Sequence, residues 1–161
     1  LLRHSTAHVM AAALVDLYGD VKFGVGPAIE NGFYYDVQLP EGVTVSPEDF
    51  ERIEARMAEI AKAAEPFERR EVTRAEALAE FADQPFKVEL INELPEDATI
   101  TTYTIGSFTD LCRGPHLPST AKAGAFKLTK VAGAYWKGDA ADDIVRGDRL
   151  DEALDVVGDA A

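Results

Sequence analysis

The chain contains three histidines and one cysteine, and they fall into two short groups far apart in the sequence. His4 and His8 close the segment His4-Ser5-Thr6-Ala7-His8. Cys112 and His116 close Cys112-Arg113-Gly114-Pro115-His116, which follows Asp110-Leu111 directly. Imidazole titrates near neutral pH and can take or give a proton. Three ring nitrogens and one thiolate also make a sound zinc set. If folding joins the two groups, the result either handles protons on a substrate or holds a metal. Each residue also has an ordinary alternative: surface histidines, an inert buried thiol at Cys112, a loop-capping His116, a turn residue at Asp110.

The elements that must position these groups are legible from local pattern. Leu2 to Tyr18 is rich in Ala, Leu and Met, lacks Gly and Pro, and stops at Gly19-Asp20, so it reads as a helix. Its His4 and His8 are four apart and share one face. Asn31-Gly32 between the apolar runs Phe23–Ile29 and Phe33–Val37 predicts a hairpin. Tyr34 and Tyr35 then face opposite ways, so one can reach a site while the other packs. Ser46-Pro47-Glu48-Asp49 opens a helix with Phe50, Ile53, Met57, Ile60 and Ala64 as its apolar stripe. Phe67 to Val72 reads as a short charged strand. Thr73-Arg74-Ala75-Glu76 is a capping box for a helix to about Ala82, and Phe86 to Leu94 favours a short helix carrying Lys87. Thr99 to Ile105 is a β-branched strand, Gly106-Ser107 a turn, and Phe108 to Leu111 the return strand that delivers the Asp110–His116 loop. Phe126–Val131 and Gly133–Lys137 read as two further strands with Trp136 as an anchor, and Asp148–Val157 as a helix. This order predicts an α+β fold: a mainly antiparallel sheet, a long N-terminal helix and other helices packed on it, and a cleft between that helix and the loop.

Composition narrows the functional classes. At 161 residues the length suits one domain, with 47% apolar and 28% charged residues, as in an ordinary globular protein. No apolar run approaches the ~18 residues of a membrane span, and there is no basic-then-apolar leader. The single cysteine permits no internal disulfide, which fits a reducing cytoplasm. A net charge of −13 argues against a protein that coats nucleic acid. Yet Leu111 to Gly138 holds five basic residues (Arg113, Lys122, Lys127, Lys130, Lys137) and no acid, leaving 11 basic against 29 acidic residues elsewhere. A basic face on an acidic body is compatible with gripping one end of a nucleic acid; a chance gap in acids along a buried sheet explains it equally well.

Four motifs together carry a family resemblance. They are His4-Ser5-Thr6-Ala7-His8; Gly26-Pro27 with Asn31-Gly32-Phe33-Tyr34-Tyr35-Asp36; Asp110-Leu111-Cys112-Arg113-Gly114-Pro115-His116; and Ala132-Gly133-Ala134-Tyr135-Trp136-Lys137-Gly138-Asp139. In this order they resemble the editing domain of bacterial threonyl-tRNA synthetase. The resemblance covers roughly residues 1–139, with an insert around 44–95, and leaves 140–161 as an acidic linker or tail. It implies hydrolysis of serine mis-esterified to the threonine tRNA, in the cytoplasm, with no membrane involved. The implied partners are the serine-carrying 3′ acceptor end of that tRNA and the remaining synthetase domains. It implies catalytic roles for His4, Lys87, Asp110 and His116. His4 and Lys87 would handle water and the oxyanion or ribose, and Asp110 the substrate amino group. His8, Tyr35, Cys112 and Arg113 would bind substrate. No cofactor is required on this reading.

A related histidine/cysteine pattern in the alanyl-tRNA synthetase editing domain holds zinc, so two alternatives stand beside the first. One is a zinc-dependent deacylase with His4, His8, Cys112 and His116 as ligands; the other is a non-catalytic module built on the same structural zinc. Where the family continues into an Arg-Ile-Tyr-Gly-type linker and a catalytic core, this sequence has Arg146-Gly147-Asp148-Arg149-Leu150-Asp151 and carries none of that core's ATP-binding motifs. Both a portion of a synthetase and a free-standing editing protein fit that pattern.

Overall fold

Leu2–Tyr18 forms helix α1, as its composition predicts, and Gly19 closes it in a left-handed conformation with φ of 81°. The structure is a computed structural model that describes residues 1–24, 28–29, 32–134 and 150–159, with side chains for 1–24 and 32–128. Ten consecutive α1 residues, Ser5 through Leu14, are buried. A helix enclosed on all sides needs an apolar surface all round, which is why α1 has alanines where a surface helix has charges. It packs against α2 (Phe50–Lys62), β3 (Gly32–Gln38) and β6 (Phe108–Leu111). Its site-bearing turns are therefore held within the core.

α2 follows a short 3₁₀ turn at Pro47–Asp49, where the Ser46 backbone N–H donates to Asp49 Oδ2 at 2.9 Å. Of the expected stripe, Phe50, Ile53, Met57 and Ile60 are buried, whereas Ala64 lies beyond the helix end and is exposed. β4 (Glu68–Val72) and α3 (Arg74–Glu80) also lie where the sequence puts them, α3 opened by a Thr73/Glu76 capping box. α4 (Pro85–Glu93) carries buried Phe86, Lys87 and Ile91. The Arg74 guanidinium caps its C-terminal end by donating to the carbonyls of Ile91, Leu94 and Pro95, placing positive charge at the negative end of the helix dipole.

Among the described residues all strand pairings are antiparallel, as expected, and the strands divide between two sheets. One contains β1 (Lys22–Phe23), β2 (Ala28–Ile29), β3, β7 (Ala125–Ala134) and β8 (Leu150–Asp159), in the order β1-β3-β8-β7 with β2 also on β3. The other has the order β4-β5-β6, with β5 at Ile100–Ile105. β5 and β6 are joined through Gly106-Ser107, where Ile105 pairs with Phe108.

Three local expectations change. Ile29 pairs with Gly32, so Gly32 begins β3 instead of turning the chain; Glu30 and Asn31 lie outside the described residues. The two strands expected from Phe126 onward are one strand, β7, with register shifts at Leu128/Lys130 and Ala132/Ala134; Trp136 lies outside the described residues. The expected helix at Asp148–Val157 is strand β8, paired to β3 on one side and β7 on the other. Local pattern did not show that β3 and β7 each present an edge. Filling that gap satisfies two ladders, and Asp151, Asp155, Val156 and Val157 are weak helix formers in any case. The supposed acidic tail therefore contributes a strand to the sheet.

Candidate active site

The two groups of rare side chains meet. Helix α1 brings His4, and the loop after β6 brings Cys112 and His116. Cys112 Sγ lies 3.2 Å from His4 Nε2 and 3.2 Å from His116 Nε2, and it accepts the Gly114 backbone N–H at 3.1 Å. The loop can fold this tightly because Gly114 has φ of 68° and no side chain. A Cβ there would stand 2.2 Å from the Tyr103 hydroxyl oxygen. Thr101 anchors the loop's start through its carbonyl, which accepts the Cys112 N–H at 3.2 Å, and its hydroxyl, which donates to the Cys112 carbonyl. The His116 ring stacks on Phe67 at 4.9 Å and meets Tyr103 edge-on at 4.5 Å.

Behind this cluster lies a buried polar core. Lys87 Nζ pairs with Asp110 Oδ1 at 2.9 Å and donates to the Gly24 carbonyl at 2.8 Å and the Tyr35 hydroxyl at 3.3 Å. The Tyr35 hydroxyl donates to Asp110 Oδ2, His8 Nε2 faces the same oxygen at 3.3 Å, and the Leu111 N–H donates to Oδ1 at 2.8 Å. Asp110 and Lys87 are each 3% exposed. Of the two hairpin tyrosines, Tyr35 is the one that reaches the site. Gln84 sets the placement of α4, accepting the Phe23 N–H at 2.9 Å and donating to the Val21 carbonyl at 3.0 Å. Arg113 is exposed. With Cys112 and Leu111 it lines a cavity of about 440 Å³ that extends between α4 and β5 past Leu90, Leu94 and Thr101.

Burial and neighbouring charge set the protonation states. Burial lowers His8 to about 4 against the pull of Asp110. Burial, reinforced by His8 and His4, lowers His116 to about 2. His4 is lowered too, chiefly by burial, with Asp110 partly offsetting it. Burial pushes the Cys112 thiol up to about 11, only partly countered by the Gly114 N–H. Burial opposes ionisation of Asp110, but Lys87 and then His8 outweigh it and hold the carboxyl below its usual range. At neutral pH the site therefore offers uncharged imidazoles, able to accept a proton, beside a buried lysine–carboxylate pair.

The same residues pass a geometric test for a metal. One donor atom from each of His4, His8, Cys112 and His116 lies within 4.8 Å of the other three. Each ring also has an oxygen partner: the Pro115 backbone for His4, Asp110 for His8 and Ser5 for His116. His8 Nδ1 is left buried with no hydrogen-bond partner among the described residues. Rings that donate one N–H to an oxygen behind them, with the other nitrogen facing inward, are what a zinc site requires; His116 meets this in the tautomer whose Nδ1 carries the proton.

Local sequence reading missed Ser5, Phe67, Gln84 and Tyr103. Ser5 alone carried a signal, since it lies inside the first histidine motif. The others are an aromatic at the start of a charged strand, an amide before Pro85 and an aromatic in a threonine-rich strand, and only tertiary contact distinguishes them.

Residues 100–146, from β5 through the Cys112–His116 loop and beyond β7, match the threonyl and alanyl tRNA synthetase second additional domain. The chain is 58% identical over 139 residues to a threonine–tRNA ligase of Staphylococcus saprophyticus, covering 86% of the chain and 21% of that protein. It is 57% identical over 138 residues to the enzyme of Enterococcus faecalis, covering 86% of the chain and 21% of that protein. With the enzyme of Halalkalibacterium halodurans the identity is 55% over 150 residues, 91% of the chain and 23% of that protein. The chain belongs to the threonyl-tRNA synthetase editing-domain family. This second additional domain spans about a fifth of the length of the relatives it matches. The last of these alignments, at 150 residues, is longer than the 139 residues that the motifs alone delimit.

Proposed function

We propose that this domain hydrolyses the ester of serine mistakenly attached to the threonine tRNA, as the post-transfer editing part of a cytoplasmic synthetase. The observation that carries the reading is the meeting of His4, Cys112 and His116 beside the Lys87–Asp110 pair. The chemical need is clear. Serine is threonine less one methyl, a difference worth only ~1–3 kcal/mol to a synthetic pocket, so a second site must clear the error.

In the proposed reaction, water attacks the ester carbonyl, the carbon–oxygen bond to the ribose breaks, and the proton taken from water reaches the departing ribose hydroxyl. Neutral His4 accepts that proton, and His116, linked to it through Cys112, shares the proton handling. Lys87 supplies positive charge to the oxyanion or the ribose. Asp110, ionised and held below its usual range, receives the serine ammonium. His8 and Tyr35 fix Asp110 from behind. Cys112 and exposed Arg113 face the terminal nucleotide of the tRNA. No metal is required for this route.

A second reading is supported by the orphaned His8 Nδ1 and the spacing of the four donors: His4, His8, Cys112 and His116 hold zinc. Bound there, zinc would polarise a carbonyl or activate water in a deacylase, or serve purely as a structural tie.

Deacylation of seryl-, threonyl- and alanyl-tRNA by the chain tests both readings, alongside metal analysis of protein purified without added zinc. The first reading expects seryl-tRNA to be cleaved fastest by metal-free protein, and His4→Ala to lower the rate by ~10²-fold. Absence of cleavage on all three substrates overturns it. Stoichiometric zinc with activity lost on chelation establishes the zinc enzyme instead.

A further inference from the structure

Ser5 stands between the two histidines of α1 and is fully buried, at 0% exposure. Its hydroxyl oxygen lies 2.9 Å from His116 Nδ1, and it accepts the Leu117 backbone N–H at 2.9 Å. Both partners belong to the loop, more than a hundred positions away in sequence. A hydroxyl has one proton to give and two lone pairs. One lone pair receives Leu117 N–H, and the one acceptor described for the proton is His116 Nδ1. If the hydroxyl gives its proton to that acceptor, Nδ1 accepts and the ring proton sits on Nε2, which faces Cys112 Sγ at 3.2 Å. The chain of donors then runs Leu117 N–H to Ser5 Oγ, Ser5 O–H to His116 Nδ1 and His116 Nε2–H to Cys112 Sγ, which lies 3.2 Å from His4 Nε2. The last link follows once Ser5 donates to Nδ1.

We propose that Ser5 is a positioning residue, whose hydroxyl clamps the loop to α1 and holds His116 as the Nε2–H tautomer directed at Cys112. Ser5 touches no reacting atom and acts only through His116. Phe67 and Tyr103 fix the plane of the ring, but neither can choose between its two nitrogens, and Ser5 can.

The test is nitrogen-detected NMR of the histidine rings in chelator-treated chain at pH 8, comparing wild type with Ser5→Ala and Ser5→Thr. Wild type should show His116 protonated on Nε2 and bare on Nδ1. Ser5→Ala should lose that single tautomer, and Ser5→Thr, which keeps the hydroxyl, should retain it. The kinetic arm rests on the hydrolase reading: Ser5→Ala should lower kcat for seryl-tRNA cleavage by ~10–100-fold, the usual cost of losing a supporting hydrogen bond, with KM nearly unchanged. A wild-type ring protonated on Nδ1 overturns the proposal, and this needs no variant to fold. So does an unchanged tautomer in Ser5→Ala. A tautomer shift in Ser5→Ala with no cleavage by any form sustains the role of Ser5 and removes the hydrolase reading alone.

Discussion

Cys112 Sγ lies 3.2 Å from His4 Nε2, across 108 positions of sequence. The same sulfur meets His116 and the Gly114 N–H, so one thiol ties the central helix to the loop and also shapes the loop's own turn. Cys112→Ala should leave the Gly114 and His116 N–H groups without an acceptor and destabilise the fold by ~1–3 kcal/mol, read from the midpoint of a urea transition. An unchanged midpoint would show that the sulfur only fills space.

The Lys87–Asp110 pair has a clear energetic signature. Both groups are buried, so removing either one strands the other as an uncompensated charge, at a cost of ~3–5 kcal/mol. Lys87→Met and Asp110→Asn should each be severely destabilised. The double variant should cost much less than the sum of the two, giving a large coupling energy in a double-mutant cycle. Additive losses would contradict a coupled pair.

Stability should fall as the pH falls from neutral. His8 and His116 have folded values near 4 and 2, below the ordinary imidazole value of 6.5. In the unfolded chain they take protons below ~6.5, while the folded chain holds them neutral, so their contribution is present above that pH and lost below it. Fully buried His8 alone gives a slope of up to ~1.4 kcal/mol per pH unit between ~6.5 and 4. Asp36, raised to about 6 by burial, works in the opposite sense between its ordinary 3.8 and 6, but one carboxyl opposes two imidazoles. Urea denaturation at pH 7.5 and 5.0 should therefore give the lower stability at 5.0. Equal or greater stability at 5.0 would mean that the rings are already protonated in the fold.

Ala64, just beyond α2, has φ of 55°, the one left-handed non-glycine among the described residues. The left-handed region costs an L-residue ~1–2 kcal/mol, and glycine is the residue that helix ends favour there. Ala64→Gly should raise stability by ~0.5–1 kcal/mol after the added entropy of the unfolded chain. A loss on thermal melting would show that the Ala64 methyl packs usefully.

The acid-free stretch makes a salt-dependent prediction. Lys122 and Lys127 are exposed, so both are free to meet phosphate. Replacing both with Gln should flatten the slope of log affinity for the tRNA acceptor end against log salt by up to ~0.7 per lost contact. The weakening should be alike for any tRNA sequence, because phosphate contacts carry no base information. An unchanged slope would leave the stretch as a sheet that merely lacks acids.

Local patterns in the sequence determined the pieces. The i, i+4 spacing of His4 and His8, the Thr73 capping box, the α2 stripe from Phe50 to Ile60 and the Gly106-Ser107 turn each depend on neighbours in the chain, and each formed where its residues said. The motifs also singled out the four side chains that meet, because such rare residues in two tight groups are informative without coordinates. Only tertiary structure decided what required distant partners. Leu150–Asp159 became a strand because β3 and β7 left a gap for it. Tyr35 and not Tyr34 reached Asp110 because of the face β3 turns to α1. Ser5, Phe67, Tyr103 and Gln84 acquired their roles from contacts made across the fold. The protonation states belong to this second class as well: a histidine carries its ordinary pKa in the chain, and burial among other imidazoles is what holds His8 and His116 neutral.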